Sequence, residues 1–305
     1  MYDTIIIGAG PAGLAAAVYA ARQKINFLII TKNLGGQTLW GSDIENYLGF
    51  HLVSGMELIQ KFKEHIKDYK IDIREGQSIK QIKKKGKNFL IITDKEEYET
   101  RTVLIAAGKE PRKLEVPGEE KFLGKGVTYC AICDAPIFKG KNVAVIGGGN
   151  AALDAVLLAS KHSKKVSMIN INKEFKGEKN LIEQANKTKN IEIFHNTQTK
   201  EIFGDKFVEA IKIRQGNKEK TIKTQGIFIE IGSIPSVDFD NLTQKNEKNE
   251  IMIHDDKKKH MTNLTNVEGI FAAGDITDTP EKQIAVATGE GVKAIISIFK
   301  YLQKN

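Results

Sequence analysis

One kind of glycine loop occurs twice in this chain, each time between the same two kinds of segment, and no other feature restricts the fold as strongly. In the first copy a β-branched run at 4–7 ends in Gly8-Ala9-Gly10-Pro11-Ala12-Gly13, and a small-residue segment continues to about residue 23. An apolar run follows at 26–30. The pattern reads as strand, tight turn, helix, strand. Gly8 lets the chain turn, Gly10 leaves the backbone open to a pyrophosphate, and Gly13 lets the helix lie close to the strand. The phosphates would sit among free N–H groups where the helix begins, with Pro11 and Ala12 in its first turn.

In the second copy the run NVAVI (142–146) leads into Gly147-Gly148-Gly149-Asn150-Ala151-Ala152, a helix-like stretch to about residue 160 and a strand at 165–169. Alanine holds the third position, Ala152, which the fingerprint tolerates. In each copy 23 residues separate the first glycine from the residue after the second strand, Gly8 to Thr31 and Gly147 to Asn170. The expected fold class is therefore α/β, with two Rossmann-like nucleotide-binding domains of three layers each.

Both units also close alike. The segments 102–111 and 226–235 are apolar strands that end in Gly108 and Gly232, with a proline three residues later. LGGQT (34–38) offers the backbone amides of Gly35, Gly36 and Gln37 near the first loop. GIFAAGDIT (269–277) reads as a core strand ending at Gly274 and Asp275, followed by a helix at 283–301. Such a strand needs a sheet to join, so the C-terminal stretch belongs with the first unit. The expected domains are 1–111 plus 243–305, and an inserted 112–242. The paired crossings form a natural hinge. Asp275 is placed to accept a hydrogen bond from a ribityl hydroxyl or to cap the following helix. Segments 71–75, 79–99 and 200–224 read as strands outside the parallel sheets.

A chain of 305 residues with 41% apolar and 28% charged residues has room for two such domains and little for disorder. It has no apolar run of about 18 residues, so no membrane helix is expected. The N-terminus enters a strand at once, without the pattern of a signal peptide, which makes the cytoplasm the expected compartment. The net charge of +8 comes largely from scattered lysines, as at 83–85 and 257–259, without the interleaved aromatics of a nucleic-acid groove. A solvated surface or the steering of an acidic protein partner accounts for it better.

Only two cysteines are present, Cys130 and Cys133, two residues apart in GVTYCAICD. Zinc needs about four ligands, and the nearest histidine, His162, is remote in sequence, so no metal site is expected. An inert buried pair is conceivable, but a redox dithiol fits the context better. The pair lies just ahead of a dinucleotide loop and beside an acid, Asp134, and a departing thiolate needs a proton. Two nucleotide units and one dithiol match a relay in which a flavin passes electrons from a nicotinamide to a disulfide.

These residues together resemble the low-molecular-weight thioredoxin reductases and the flavoprotein module of the alkyl hydroperoxide reductase large subunit. The resemblance rests on IIIGAGPAGLAAAVYAAR (5–22), GGQT (35–38), IENYLGF (44–50), GVTYCAICD (126–134), VAVIGGGNAALDA (143–155), GIFAAGDI (269–276) and KQIAVATGEG (282–291). It implies a homodimer that binds FAD and reduces thioredoxin or a thioredoxin-like protein. Cys133 would lie nearer the flavin, Cys130 would attack the partner disulfide, and Asp134 would serve as acid. The inner domain would rotate to present the disulfide and the nicotinamide in turn. FAD would be held by Gly8, Gly10, Pro11, Ala12 and Gly13, by Gly35, Gly36, Gln37 and Asn46, and by Gly108. Gly274, Asp275, Lys282, Gln283 and Ile284 would complete its site. Gly147, Gly149, Asn150 and Ala152 would face the second nucleotide.

The sequence departs from the resemblance at 170–176. NADPH-using members carry arginines there that clamp the 2′-phosphate, whereas this chain reads Asn170-Ile171-Asn172-Lys173-Glu174-Phe175-Lys176. Lys173 and Lys176 supply point charges without the bidentate fork. No acidic residue marks NADH either, and Asn170 offers only a neutral amide. NADPH is the leading donor, with NADH and reduced ferredoxin as alternatives. A flavin oxidoreductase with idle cysteines, serving a small carrier or quinone, is the other function class.

Overall fold

The computed structural model describes residues 1–40 and 44–304; the side chains of Trp40, Ile132 and Cys133 lie outside the described residues. Two compact units emerge, Met1–Glu110 with Ile234–Asn305, and Pro111–Ser233.

The first unit begins with β1 (Tyr2–Ala9), α1 (Pro11–Arg22) and β2 (Phe27–Leu34), then α2 (Gly55–Lys67) and β3 (Ile73–Glu75). A meander follows, β4 (Ile79–Lys85), β5 (Asn88–Thr93) and β6 (Glu97–Ile105). α2 starts at Ser54 in a reciprocal capping box: Glu57 N–H donates to the Ser54 hydroxyl and the Glu57 carboxylate accepts from Ser54 N–H.

The chain leaves through β7 (Lys109–Pro111) into the second unit. This contains β8 (Val127–Thr128), the four-residue α3 (Ala131–Asp134), β9 (Asn142–Ile146), α4 (Asn150–His162), β10 (Lys165–Ile169), α5 (Lys179–Lys187) and β11 (Ile191–Phe194). The antiparallel strands β12 (Thr197–Gly204), β13 (Val208–Gln215) and β14 (Lys218–Lys223) precede β15 (Gly226–Ile229). β16 (Ser233–Pro235) pairs with β7 and brings the chain back to β17 (His254–Asp256), β18 (Met261–Leu264), β19 (Ile270–Ala272) and α6 (Ile284–Lys304).

In the first unit β19, β6, β1, β2 and β3 are parallel neighbours in that order, with β18 and β17 added antiparallel at one edge. A sheet covered on both faces reads as a continuous apolar run, and β1 shows why. Ile6 points into a core made with α1 and α6, while Ile5 and Ile7 join Ile82, Phe89 and Ile91 of the meander on the other face. The second unit repeats the three layers. Its parallel order is β11-β10-β9-β15-β8; Val143 and Val145 face α4, and Ala144 and Ile146 face Ile211 and Ile213 of β13.

Two expectations need correcting. Residues 71–75 do not stand outside the parallel sheet, because Ile73–Glu75 pairs parallel with β2 at its edge. The second crossing falls at 233/234 and not at 242/243. Val237 and Phe239 pack on the Ile5–Ile7 core, and Ile82 N–H donates to the Phe239 carbonyl, so 234–242 adheres to the first unit.

Candidate functional site

In each parallel sheet the chain reverses its direction of progress beside the first strand of the glycine motif, between β1 and β6 and between β9 and β15. Loops at the carboxyl ends of such strands form ligand crevices. In the first unit Gly8 adopts φ +104°, and a Cβ there would overlap the Ala106 carbonyl. A Cβ on Gly13 would overlap the Gly8 carbonyl, so the helix can seat only because that residue is glycine. At Gly10 the opposite holds: nothing lies within 4 Å of where a Cβ would be. Gly10 caps α1 without a side-chain hydrogen bond, and no acidic residue occupies the first turn. Its free amides face open space, an arrangement that suits an anion such as a diphosphate.

This loop floors a cavity of about 610 Å³. Gly8, Gly10, Pro11, Ala12, Gly36, Gln37, Gly108, Gly274, Asp275, Lys282, Gln283 and Ile284 all line it. Gly13 and Gly35 act from behind: Gly35, at φ +115°, packs against Ile59 and Leu39, and its N–H donates to the Ala9 carbonyl at 2.8 Å. Asn46 donates to Gln283 Oε1 at 2.9 Å, and Gln37 Nε2 donates to the Lys109 carbonyl at 2.9 Å. The cavity runs from the glycine loop to the 274–284 segment in its lining, and the uncapped amides suit the phosphates of a dinucleotide.

Sequence reasoning missed a buried acid that pairs with two lysines of the cavity lining. Glu250, 6% exposed, meets Lys109 Nζ at 3.1 Å and Lys282 Nζ at 3.2 Å through the same oxygen. Burial by itself would raise this carboxyl, but hydrogen bonds from Asn246, Lys109 and Lys282 outweigh it and hold it at about 2. Asp275 responds differently. Burial raises its pKa, opposed by the charges of Lys282 and Lys109. It does not cap a helix, since α6 begins nine residues later at Ile284. The turn carrying it is fixed by buried Glu290, which accepts from Gly274 N–H at 2.7 Å and from the hydroxyls of Thr277 and Thr279.

In the second unit Cys130 is 8% exposed and disulfide-bonded. Cys133, by side chain, lies outside the described residues. Cys130 N–H donates to Thr128 Oγ1 at 3.0 Å, and Asp134, half-buried at the end of α3, sends its N–H to the Cys130 carbonyl. The preceding Tyr129 donates its hydroxyl at 2.6 Å to the buried Glu119, which also accepts from the backbone of Leu114 and Glu115. Burial and this carboxylate push the Tyr129 phenol up.

The second glycine loop matches the first in backbone. A Cβ on Gly147 would overlap the Glu230 carbonyl and crowd Ala152, and Gly149 caps α4 without a side-chain bond. Asn150, expected to face a nucleotide, is exposed, and its Oδ1 accepts from Glu178 N–H at 2.8 Å. Asn170 is fully buried and folds the 170–176 loop, accepting from Asn172 N–H and donating to the Glu174 carbonyl. Its amide is thus committed to the protein itself. Lys173 and Lys176 are exposed, and the Lys176 backbone N–H donates to the Gly148 carbonyl at 2.7 Å.

Comparison with known proteins agrees with this arrangement. The family described as pyridine nucleotide-disulphide oxidoreductase matches residues 2–291. The chain is 42% identical over 310 residues to thioredoxin reductase of Ureaplasma parvum, covering 100% of this chain and 98% of that one. It is 38% identical to an alkyl hydroperoxide reductase polypeptide of Escherichia coli, covering 99% of this chain but only 58% of that longer protein. Among solved structures, thioredoxin reductase of Lactococcus lactis superposes with a TM-score of 0.88 at 31% identity, each chain covered fully. A ferredoxin-flavin thioredoxin reductase from Clostridium acetobutylicum gives 0.52 at 33% identity, covering 99% of this chain and 97% of that one.

Proposed function

The chain belongs to the pyridine nucleotide-disulphide oxidoreductase family, and from that premise we propose that it reduces the disulfide of thioredoxin or a thioredoxin-like protein. It is a flavin-dependent disulfide oxidoreductase, and the family implies FAD. In our reading NADPH supplies the electrons, Cys130 and Cys133 form the redox-active pair, and the enzyme works as a homodimer in the cytoplasm. The observation that carries the proposal is the pairing, in one chain, of an uncapped glycine-loop cradle and a buried disulfide cysteine beside an acid.

FAD, when bound, accepts a hydride equivalent and yields two electrons to a disulfide. Everything else falls to the chain. Gly10 and the free amides of α1 would hold the diphosphate, and Asp275 would accept from the ribityl chain. Gln283, braced by Asn46, would position the ring, while Lys109 and Lys282 would set the charge of the wall beside it. Asp134 would hold the proton that a leaving thiolate requires. Thr128 and the Tyr129–Glu119 bond fix the strand end from which Cys130 projects.

Lys173 and Lys176 support NADPH as point charges at the end of β10, where a 2′-phosphate would approach. A second reading replaces the nicotinamide with reduced ferredoxin. It is favoured by the absence of arginine from 170–176 and by the likeness to a ferredoxin-flavin enzyme. Anaerobic reduction of the purified yellow protein, with NADPH, NADH and reduced ferredoxin added separately, tests the donor. Rapid flavin bleaching by NADPH is the expected result; bleaching by ferredoxin alone would overturn the nicotinamide assignment and leave the second glycine loop as a scaffold.

A further inference from the structure

His195 has no part in the mechanism above, yet it is joined to the loop that follows β10. Asn170 N–H donates to the Phe194 carbonyl at 2.9 Å, Thr197 N–H to the Asn170 carbonyl at 3.0 Å, and Asn196 N–H to the Asn172 carbonyl at 3.1 Å. The end of β11 is thereby stitched along the start of the 170–176 loop, with His195 in the middle of the seam. The His195 carbonyl accepts from the Thr197 hydroxyl and from Gln215 Nε2, each at 2.8 Å. Its backbone is therefore held without help from the ring.

The ring makes contacts of its own. It meets Phe175 edge-on with centroids 4.6 Å apart, and its Nδ1 lies 3.1 Å from Asn170 Nδ2. Asn170 is fully buried, and its amide can face only one way. Oδ1 accepts from Asn172 N–H at 3.1 Å, and Nδ2 donates to the Glu174 carbonyl at 3.0 Å. Turning the amide over would set donor against donor and acceptor against acceptor. The second Nδ2 hydrogen is left for His195, whose Nδ1 must then present a lone pair, with the ring proton on Nε2.

We propose that His195 is a positioning residue of the donor site: as the Nε2–H tautomer it accepts from Asn170 and keeps the 170–176 loop closed on the second glycine loop, so that Lys173 and Lys176 are presented to the nucleotide. This rests on the reading that a nicotinamide dinucleotide supplies the electrons. The route from ring to loop is short. Asn170 Oδ1 stands where a Cβ on Gly148 would be, and Lys176 N–H donates to the Gly148 carbonyl at 2.7 Å. Without an acceptor at 195, one hydrogen of a fully buried amide has no partner, and a buried unpaired donor is costly. Swinging the amide away relieves that cost but releases Asn172 and Glu174 together, and the lysines between and beyond them lose their place.

The test is anaerobic stopped-flow bleaching of the full-length, FAD-loaded protein at increasing NADPH, which separates the apparent Kd from the limiting rate. Two variants divide the contacts of the ring. His195→Asn keeps an oxygen near the Nδ1 position and loses the aromatic edge; His195→Phe keeps the edge against Phe175 and loses the acceptor. His195→Phe should raise the apparent Kd for NADPH about fivefold with little change in the limiting rate, and His195→Asn should bind NADPH as the wild type does. If phenylalanine serves as well as histidine, or asparagine weakens binding as much as phenylalanine or more, the ring acts only by packing and the proposal is overturned. Histidine-selective nitrogen NMR of the wild type, with the His195 signal assigned by its loss in His195→Asn, gives a second test. A lone pair on Nδ1 is expected, and a proton there contradicts the contact. A wild type bleached by reduced ferredoxin and by neither nicotinamide overturns the donor reading instead, and the role of His195 falls with it.

Discussion

The side-chain oxygen of Asn170 occupies the space that a Cβ on Gly148 would need, so the loop after β10 is closed onto the second glycine loop by a residue that has no charge to offer a nucleotide. Asn170 also holds Asn172 and Glu174, which leaves Lys173 and Lys176 as the cations of this loop that face solvent. Replacing both lysines with alanine should raise KM for NADPH about fivefold to tenfold, with little effect on KM for NADH, as exposed charge–phosphate contacts contribute about 0.5–0.7 kcal/mol each. Steady-state kinetics with the two nucleotides checks this. Equal losses for both would assign the lysines no part in 2′-phosphate recognition.

Gly10 separates the demands of folding from those of binding. Its φ of −77° and ψ of −174° suit any residue, and nothing lies within 4 Å of its missing Cβ. Gly10→Ala should therefore fold with an unchanged melting temperature in the apo form and lose FAD, since a methyl group would occupy the approach of the diphosphate. Flavin content after purification and the affinity for added FAD measure it. Gly8→Ala should behave differently and impair the apo fold, because its Cβ would overlap the Ala106 carbonyl at φ +104°.

Glu250, itself buried, pairs with two ammonium groups of the cavity lining. Glu250→Ala leaves both uncompensated and should cost about 3–5 kcal/mol of stability. Glu250→Gln keeps the packing, and in the flavin-bound protein it should shift the flavin midpoint potential upward, because added positive charge favours the reduced, anionic ring. Denaturant melts and anaerobic redox titration check the two halves.

Glu230 predicts a pH dependence of stability opposite in sign to that of an ion-paired carboxylate. Its folded-state pKa is raised, from 4.5 to about 7, so its contribution is fully present below pH 4.5 and disappears as pH rises through 7. Across that window the wild type should lose about 3 kcal/mol that Glu230→Gln keeps. Melts at pH 5 and pH 8 of both proteins provide the comparison; parallel curves would show that burial does not shift this carboxyl.

Much of the architecture could be read from the chain because glycine spacing and apolar runs act locally. β10 at Lys165–Ile169 lies where its run predicts, and the glycine loops connect strand to helix in both units. The residues that escaped notice are those whose meaning is set by partners far away in sequence. Glu250 sits in a charged stretch that reads as surface until Lys109, 141 residues earlier, reaches it. Glu230 looks like an interruption in an apolar strand, and only the β9–β15 pairing brings its carbonyl against Gly147. Asn150 reads as a nucleotide contact and Asn170 as a neutral amide after β10, and nothing local in sequence shows that Asn150 Oδ1 meets Glu178 or that Asn170 folds its own loop. The placement of 234–242 was equally hidden, since Val237 and Phe239 reveal their unit only by the core they enter.

If electrons leave this protein through its cysteines, the decisive experiment is NADPH-driven reduction of thioredoxin disulfide by the Cys133→Ser enzyme beside the wild type, with flavin bleaching followed in the same samples. NADPH should bleach the flavin in both proteins, and thioredoxin reduction should be lost in the variant. A Cys133→Ser enzyme that still reduces thioredoxin at the wild-type rate would contradict the dithiol route.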